Sequence, residues 1–474
     1  MPIYNKLIRD KIPEIIDKDN NFYQIKQLTE KEYQQALKEK LVEEAKEVLT
    51  AHSRHSLMEE IADTYEVLDG LINSYGLSKE EIIKVQKLKA ESKGKFENKT
   101  KLISVVQKKE VDRKREEETL VLDKFRGYLE QKIKPIANNL DFDSCLLKKV
   151  VQEISDHNPL LFNLRVNKQW GGLDCSRYGF YSWQINIAQY SGALAFLQTQ
   201  HQSAVGMICN SDNDIVKQIY LPAIMKGNKF CGVGFSHLRR RGKPVLEAIP
   251  DGNGGYQLTG DVFWLTGYDF FDHFIVGATL PDGGELYAIA PFKNIDQKNH
   301  SIKLSQTMKL GAMEATNTVS AKLNQWYISP ENIIAIKPMG NILKKDQQNL
   351  LHHGFFALGC ALGSLNIIEN NLNKLQLSSL SKTYQQLNLE TKNLQETMLS
   401  EMENPTKTGS EKLTLRAKTI NLAHRCAQGA IITSKGSANQ LTHPAHRLYR
   451  EAVIYSVSGQ TIPVLEESFA LVVN

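Results

Sequence analysis

Apolar positions near the N-terminus recur at helical period. Leu41, Val42, Ala45, Val48 and Leu49 form one such pattern, and Met58, Ile61, Ala62, Tyr65, Leu68 and Ile72 form the next. The short polar stretch from Thr50 to Ser56 between them predicts two neighbouring helices joined as an αα-hairpin. The rest of the chain divides into thirds. Helical stretches occupy residues 120 to about 225, with Gly179 to Ala204 and Ile215 to Met225 the clearest. From Gly232 to Ile336 short alternating runs broken by Gly, Pro and Asp, such as Tyr256 to Gly260 and Phe274 to Ala278, predict an antiparallel sheet. From about Leu343 the period is helical again. An amphipathic stretch runs from Asn366 to Met402, a turn falls at Asn404-Pro405, and a further helix is predicted from Leu413 to Ser434.

A length of 474 residues suits about three folding units, or two unequal ones. The charge-dense stretch from Lys108 to Glu118 has no apolar face wide enough to bury and reads as a solvated linker helix, which sets a boundary there. With 41% hydrophobic and 23% charged residues and no apolar run long enough to cross a bilayer, a soluble globular protein without membrane insertion is expected. No basic-then-apolar leader opens the chain, and the six cysteines show no metal-ligand spacing, so reduced thiols in a cytoplasmic protein are expected. A net charge of +5 is too dilute over this length to argue for nucleic acid.

Candidate chemistry sits on the first two helical patterns. Glu44 and Glu47 are spaced Glu-x-x-Glu on one, Glu60 and Asp63 are spaced Glu-x-x-Asp on the other, and Glu43 is a fifth acid beside them. Residues three apart share a helix face, so two antiparallel helices can aim four carboxylates at one point. One such pair alone is usually a solvated face. Two pairs on adjoining helices predict a metal site, and a ligand set of oxygens suits Mg²⁺ or Mn²⁺ better than Zn²⁺.

The opening from Tyr4 to Pro13 (YNKLIRDKIP), followed by Glu43-Glu44-x-x-Glu47 and Glu60-x-x-Asp63, resembles the all-α nucleoside triphosphate pyrophosphohydrolases, the MazG-like and phosphoribosyl-ATP pyrophosphohydrolase group. The resemblance implies Mg²⁺ held by Glu44, Glu47, Glu60 and Asp63 with Glu43 assisting. It further implies attack between the α and β phosphates of a nucleoside triphosphate, giving a monophosphate and pyrophosphate. Lys6, Arg9 and Lys11 are then the expected phosphate contacts, because cations relieve charge on a transferring phosphoryl group.

Over residues 120 to 474 the helix, sheet, helix order resembles the acyl-CoA dehydrogenase superfamily of flavoproteins. The likeness is carried by Trp170-Gly171-Gly172-Leu173, Tyr220 to Gly227, Gly254 to Gly260, Phe263 to Gly267 and His443 to Ala452, in that order. A multidomain, mainly α chain follows from the two resemblances. Its parts are an all-α pyrophosphohydrolase-like domain (1–105), a charged linker helix (106–119), a helical domain (120–228), an antiparallel β-barrel or sheet domain (229–340) and a C-terminal four-helix bundle (341–474). The second resemblance implies FAD between the sheet and the C-terminal helices, with an acyl thioester of CoA or a carrier protein on the far side of the ring. Phe235, Ser236, Trp264 and Thr266 match the positions that border the flavin, and Arg239, Arg240 and Arg241 are candidates for the phosphates of CoA. Both families imply self-association, as a homodimer or homotetramer.

The sequence also departs from the second pattern. Gapless matching of Arg447 to Ala452 puts Gly459 where the common catalytic glutamate stands, and the alternative site for that base, on the first long C-terminal helix, corresponds to His353. No arginine lies between Asn371 and Gln386, where relatives bind the FAD diphosphate, which leaves Lys374 or Lys382 as point charges. Lys435 to Ala438 is a degenerate glycine-rich flavin contact. Three readings of the larger part stay open: an acyl-CoA dehydrogenase-like enzyme, a flavin monooxygenase or other non-thioester flavin oxidoreductase, and a catalytically silent scaffold.

Overall fold

The computed structural model describes residues 5–19, 21–100, 108–376 and 378–473, with the backbone alone at 108–112 and 378. Two compact units result, Met1–Val105 and Val106–Asn474.

The first unit is helical: α1 (Ile12–Lys18), α2 (Glu30–Thr50), α3 (Arg54–Ser74) and α4 (Lys79–Lys93). Its helix starts are set by side chains. Thr29 with Glu32 and Ser78 with Glu81 form capping boxes on α2 and α4, while Ser53 accepts the backbone N–H of Ser56 at the start of α3. Three residues, Ala51 to Ser53, join α2 to α3, which forces the hairpin. Gly70 lets the two helices close up, since a Cβ there would lie 3.0 Å from Leu37 Cδ2. The core is thin. Leu37 and Val67 are the buried apolar side chains among the unit's described residues, whereas Leu49, Met58, Tyr65 and Ile83 stay exposed.

The second unit opens with helices α5 (Lys108–Tyr128), α6 (Ser144–His157), α7 (Arg177–Tyr190), α8 (Gly192–Cys209) and α9 (Asp214–Met225). The expected helix from Gly179 to Ala204 is broken at Ser191, whose hydroxyl accepts the Leu194 N–H and caps α8. The charged stretch is not solvated throughout. Glu118 is buried and accepts the backbone N–H of Ser176 (2.7 Å) and the Ser176 hydroxyl proton, and Arg115 lies 3.9 Å over the Tyr178 ring. Its start, at 106 and 107, lies outside the described residues.

A nine-stranded sheet follows: β1 (Cys231–Gly234), β2 (Leu246–Pro250), β3 (Tyr256–Leu265), β4 (His273–Thr279), β5 (Glu285–Pro291), β6 (Ile295–Gln297), β7 (His300–Leu304), β8 (Val319–Ile328) and β9 (Ile333–Lys337). Its order is β6-β7-β8-β3-β2-β4-β5-β9, with β1 also beside β4. The expectation of a purely antiparallel sheet is corrected here, because β1 and β2 both pair parallel to β4. Neither is joined to β4 by a tight hairpin, so nothing in the connection fixes an antiparallel direction.

Helices close the unit: α10 (Asn341–Gln348), α11 (Gly354–Leu375), α12 (Ser381–Glu403), α13 (Gly409–Ser434), α14 (Pro444–Tyr455) and α15 (Ile462–Ala470). The single helix expected from Asn366 to Met402 is two, since α11 ends at Gln376 in a left-handed conformation. The main core packs Tyr181, Phe274, Phe355, Phe356 and Tyr455 with the inner faces of the sheet. Among the described residues, no helix is long and apolar enough to cross a membrane.

Candidate functional sites

In the first unit the helical hairpin brings Glu44, Glu47 and Glu60 together, with one carboxylate oxygen from each within 4.8 Å of the others. Glu44 is 2% exposed, and its Oε2 has no hydrogen-bond donor. Glu47 is held above the usual carboxylate range by partial desolvation and by the neighbouring charges of Glu44 and Glu60. Like charges do not gather without compensation, and a hard divalent cation fits three carboxylates with a spare buried oxygen.

Cations sit on the remaining acids. Arg9 Nη2 donates to Asp63 Oδ1, so Asp63 is engaged outside the three-glutamate group. Lys6 Nζ is 3.1 Å from Glu43 Oε1, and Lys40 Nζ bridges Glu43 Oε1 (3.0 Å) and Glu44 Oε1 (2.8 Å). These cations hold Glu43 below its ordinary range, with Lys40 the larger influence and Lys6 the next. Lys11 lies exposed at the start of α1. Lys40 was missed in the sequence; its position four residues before Glu44 is the signal that pointed to it.

In the second unit Trp264 leaves the β3 plane at a register shift between Val262 and Leu265 and is 55% exposed, while Leu265 beside it is fully buried. Thr266 is buried and shares a 3.0 Å hydrogen bond with Thr318. Phe235 packs edge-on to Tyr287 at 5.5 Å, and Ser236 begins a 3₁₀ turn after β1. Gly277 is required under this turn, because a Cβ there would lie 2.5 Å from that of Phe235. The arginine cluster is partly committed within the chain. Arg239 makes a two-pronged ion pair with Asp346 (2.7 and 2.8 Å), and Arg240 covers the Phe263 ring at 4.3 Å. Lys374 and Lys382 are exposed on α11 and α12.

His353 and Gly459, matched separately to the two places for a catalytic base, meet in space. A Cβ on Gly459 would fall 2.3 Å from the His353 ring, so glycine is what admits the imidazole. Gly459 also takes φ +56°, a left-handed value that favours glycine. Burial, with the charges of Arg416 and Arg239, pushes His353 down to about 3, which keeps the ring neutral at pH 7. Arg416 is buried beside it and donates to the carbonyls of Leu350, Ser458 and Gly459.

Residues 3–89 match the family model for phosphoribosyl-ATP pyrophosphohydrolase, and residues 115–228 match that for the acyl-CoA dehydrogenase N-terminal domain. Comparison with curated proteins gives no match. Among solved structures, butyryl-CoA dehydrogenase from Megasphaera elsdenii is similar with 15% identity and a TM-score of 0.59, over 79% of this chain and 100% of that one. A glutaryl-CoA dehydrogenase from Mycobacterium smegmatis in complex with FADH2 has 12% identity and a TM-score of 0.62, over 75% of this chain and 94% of that one. KijD3 in complex with dTDP has 14% identity and a TM-score of 0.61, over 75% and 96%. The chain thus joins a segment that matches the phosphoribosyl-ATP pyrophosphohydrolase family to a body with the acyl-CoA dehydrogenase fold.

Proposed function

We propose that residues 1–105 form a Mg²⁺- or Mn²⁺-dependent nucleoside triphosphate pyrophosphohydrolase fused, through 106–119, to an FAD-binding module over 120–228, 229–340 and 341–474. The carrying observation is the convergence of Glu44, Glu47 and Glu60, together with a buried oxygen of Glu44 that lacks a donor. These three would hold the ion, with Asp63 and Glu43 completing the acidic shell. A bound divalent ion supplies water activation and charge neutralisation at the phosphates. Lys6, Arg9 and Lys11 then orient the polyphosphate. Pyrophosphate release from nucleoside triphosphates tests this: it should require Mg²⁺ and be abolished in Glu44→Gln, and release unchanged in that variant would remove the assignment.

For the larger module the exposed Trp264 supports a flavin, since it offers a flat apolar wall two residues before Thr266. FAD would supply two-electron oxidation and reduction there; Phe235, Ser236, Trp264 and Thr266 would hold it, with Arg239 and Arg240 near the acyl thioester's phosphates. A second reading of the reaction rests on the Gly459–His353 contact. A neutral imidazole held near 3 is a weak base for an α-proton, which favours flavin chemistry other than thioester dehydrogenation. Purified protein should be yellow with one FAD per chain, and anaerobic bleaching by acyl-CoA separates the two reactions. A colourless protein that cannot be reconstituted would leave a scaffold.

Self-association as a homodimer or homotetramer is supported by the apolar side chains that the first unit leaves exposed, Leu49 and Tyr65 among them.

A further inference from the structure

We propose that Lys40 is a positioning residue that divides the two oxygens of Glu44, holding Oε1 and leaving Oε2 to take the divalent ion. The inference rests on the metal reading given above and assigns a role to a residue outside the acidic motif. Lys40 stands one turn before Glu44 on α2, with Nζ 2.8 Å from Glu44 Oε1 and 3.0 Å from Glu43 Oε1. The other oxygen of Glu44 is without a donor, and the residue is only 2% exposed. A buried carboxylate oxygen left bare is costly, so the arrangement is complete only when a cation meets it. Glu47 and Glu60 each bring a carboxylate oxygen within 4.8 Å of an oxygen of Glu44.

Charge balance points the same way. Five carboxylates, Glu43, Glu44, Glu47, Glu60 and Asp63, face three cations, Lys6, Arg9 and Lys40, and the residual formal charge of −2 is what one divalent cation neutralises. Lys40 therefore need not leave when the ion arrives. Two other roles are physically distinct: a competitor for the metal, or a surface ion pair with no bearing on it. Partners that fix the orientation of a ligating carboxylate typically carry about 10- to 100-fold of metal affinity, which is enough to separate the three.

The experiment is a Mn²⁺ titration of the full chain, with free Mn²⁺ read by electron paramagnetic resonance, for wild type, Lys40→Met and Lys40→Arg. Lys40→Met is expected to weaken Mn²⁺ binding about 10- to 100-fold, with Lys40→Arg recovering most of the loss and the far-ultraviolet circular dichroism unchanged in both. Equal affinity in wild type and Lys40→Met overturns the proposal, as does tighter binding in Lys40→Met, which would identify a competitor. Should Lys40→Met not fold, a Lys40→Arg chain that binds no better than Glu44→Gln also overturns it. A wild-type chain that takes up no Mn²⁺ at all removes the metal reading and this one with it; uptake by wild type with no effect of Lys40 removes this one alone.

Discussion

Two clusters of charge in this protein use the same residue types to opposite ends. In the second unit Asp141, Glu451 and Arg447 are buried beside the half-buried Arg450: Arg447 Nη1 reaches Glu451 Oε1 at 2.6 Å and Arg450 Nη2 reaches Asp141 Oδ2 at 2.6 Å. Backbone N–H groups add to it, from Gly192 to Glu451 Oε1 (3.1 Å) and from Met313 to Asp141 (2.6 Å), while Glu451 Oε2 has no donor. Two acids face two guanidiniums, so the group is neutral by itself and ties α14 to the loops before α6 and β8. In the first unit the acids outnumber their cations, and Glu47 is pushed up by partial desolvation and by Glu44 and Glu60. A cluster that the chain itself balances is a tie within the fold; one that it leaves negative is where the proposed ion would sit.

The comparison breaks most visibly at Arg447. Arg447→Met strands the buried Glu451 and should cost about 3–5 kcal/mol, read as a lower calorimetric transition for the larger unit. Loss of less than 1 kcal/mol would mean that the balance is not what holds α14.

Proton linkage gives a second contrast. His201 is fully buried, with Nδ1 accepting the Cys231 N–H at 3.0 Å, and burial pushes it down to about 4. The unfolded chain therefore binds the extra proton first. Stability from the neutral ring is present above the unfolded value of about 6.5 and is lost as pH falls toward 4, by roughly 3 kcal/mol. Denaturant midpoints measured between pH 7 and 4 should show this slope in wild type and a shallower one in His201→Leu.

The ion should act on the other unit. Mg²⁺ at 100 times its dissociation constant is expected to stabilise the first unit by about 2.7 kcal/mol and to leave the second unit's transition in place. Glu44→Gln should erase that shift. The smallest effect has the most telling sign. Without metal, Glu47→Gln removes a repulsion between neighbouring carboxylates and should raise stability by about 0.2–0.5 kcal/mol, whereas with metal it should lower it.

Much of the architecture was legible because apolar periods persist over whole elements. The α2–α3 hairpin follows from Leu41 to Leu49 and Met58 to Ile72, and the sheet from its short alternating runs. What escaped depends on contacts distant in sequence. Nothing local announces that Arg9 will take Asp63, 54 residues away, or that Glu118 will be buried on Ser176 at a separation of 58. The left-handed Gln376 that parts α11 from α12 lies inside a polar, helix-compatible run. The register shift that turns Trp264 outward belongs to the pairing of β3 with β8, and the fit of His353 against Gly459 joins elements more than a hundred residues apart.

The central claim, that the helical hairpin of the first unit is built around a divalent ion, is tested most directly by anomalous diffraction from crystals of the full chain grown with Mn²⁺. The account predicts one strong anomalous peak in that unit, with oxygens of Glu44, Glu47 and Glu60 at about 2.1 Å and the ammonium of Lys40 still on Glu44. A peak elsewhere, or none while the three carboxylates stay together, would contradict it.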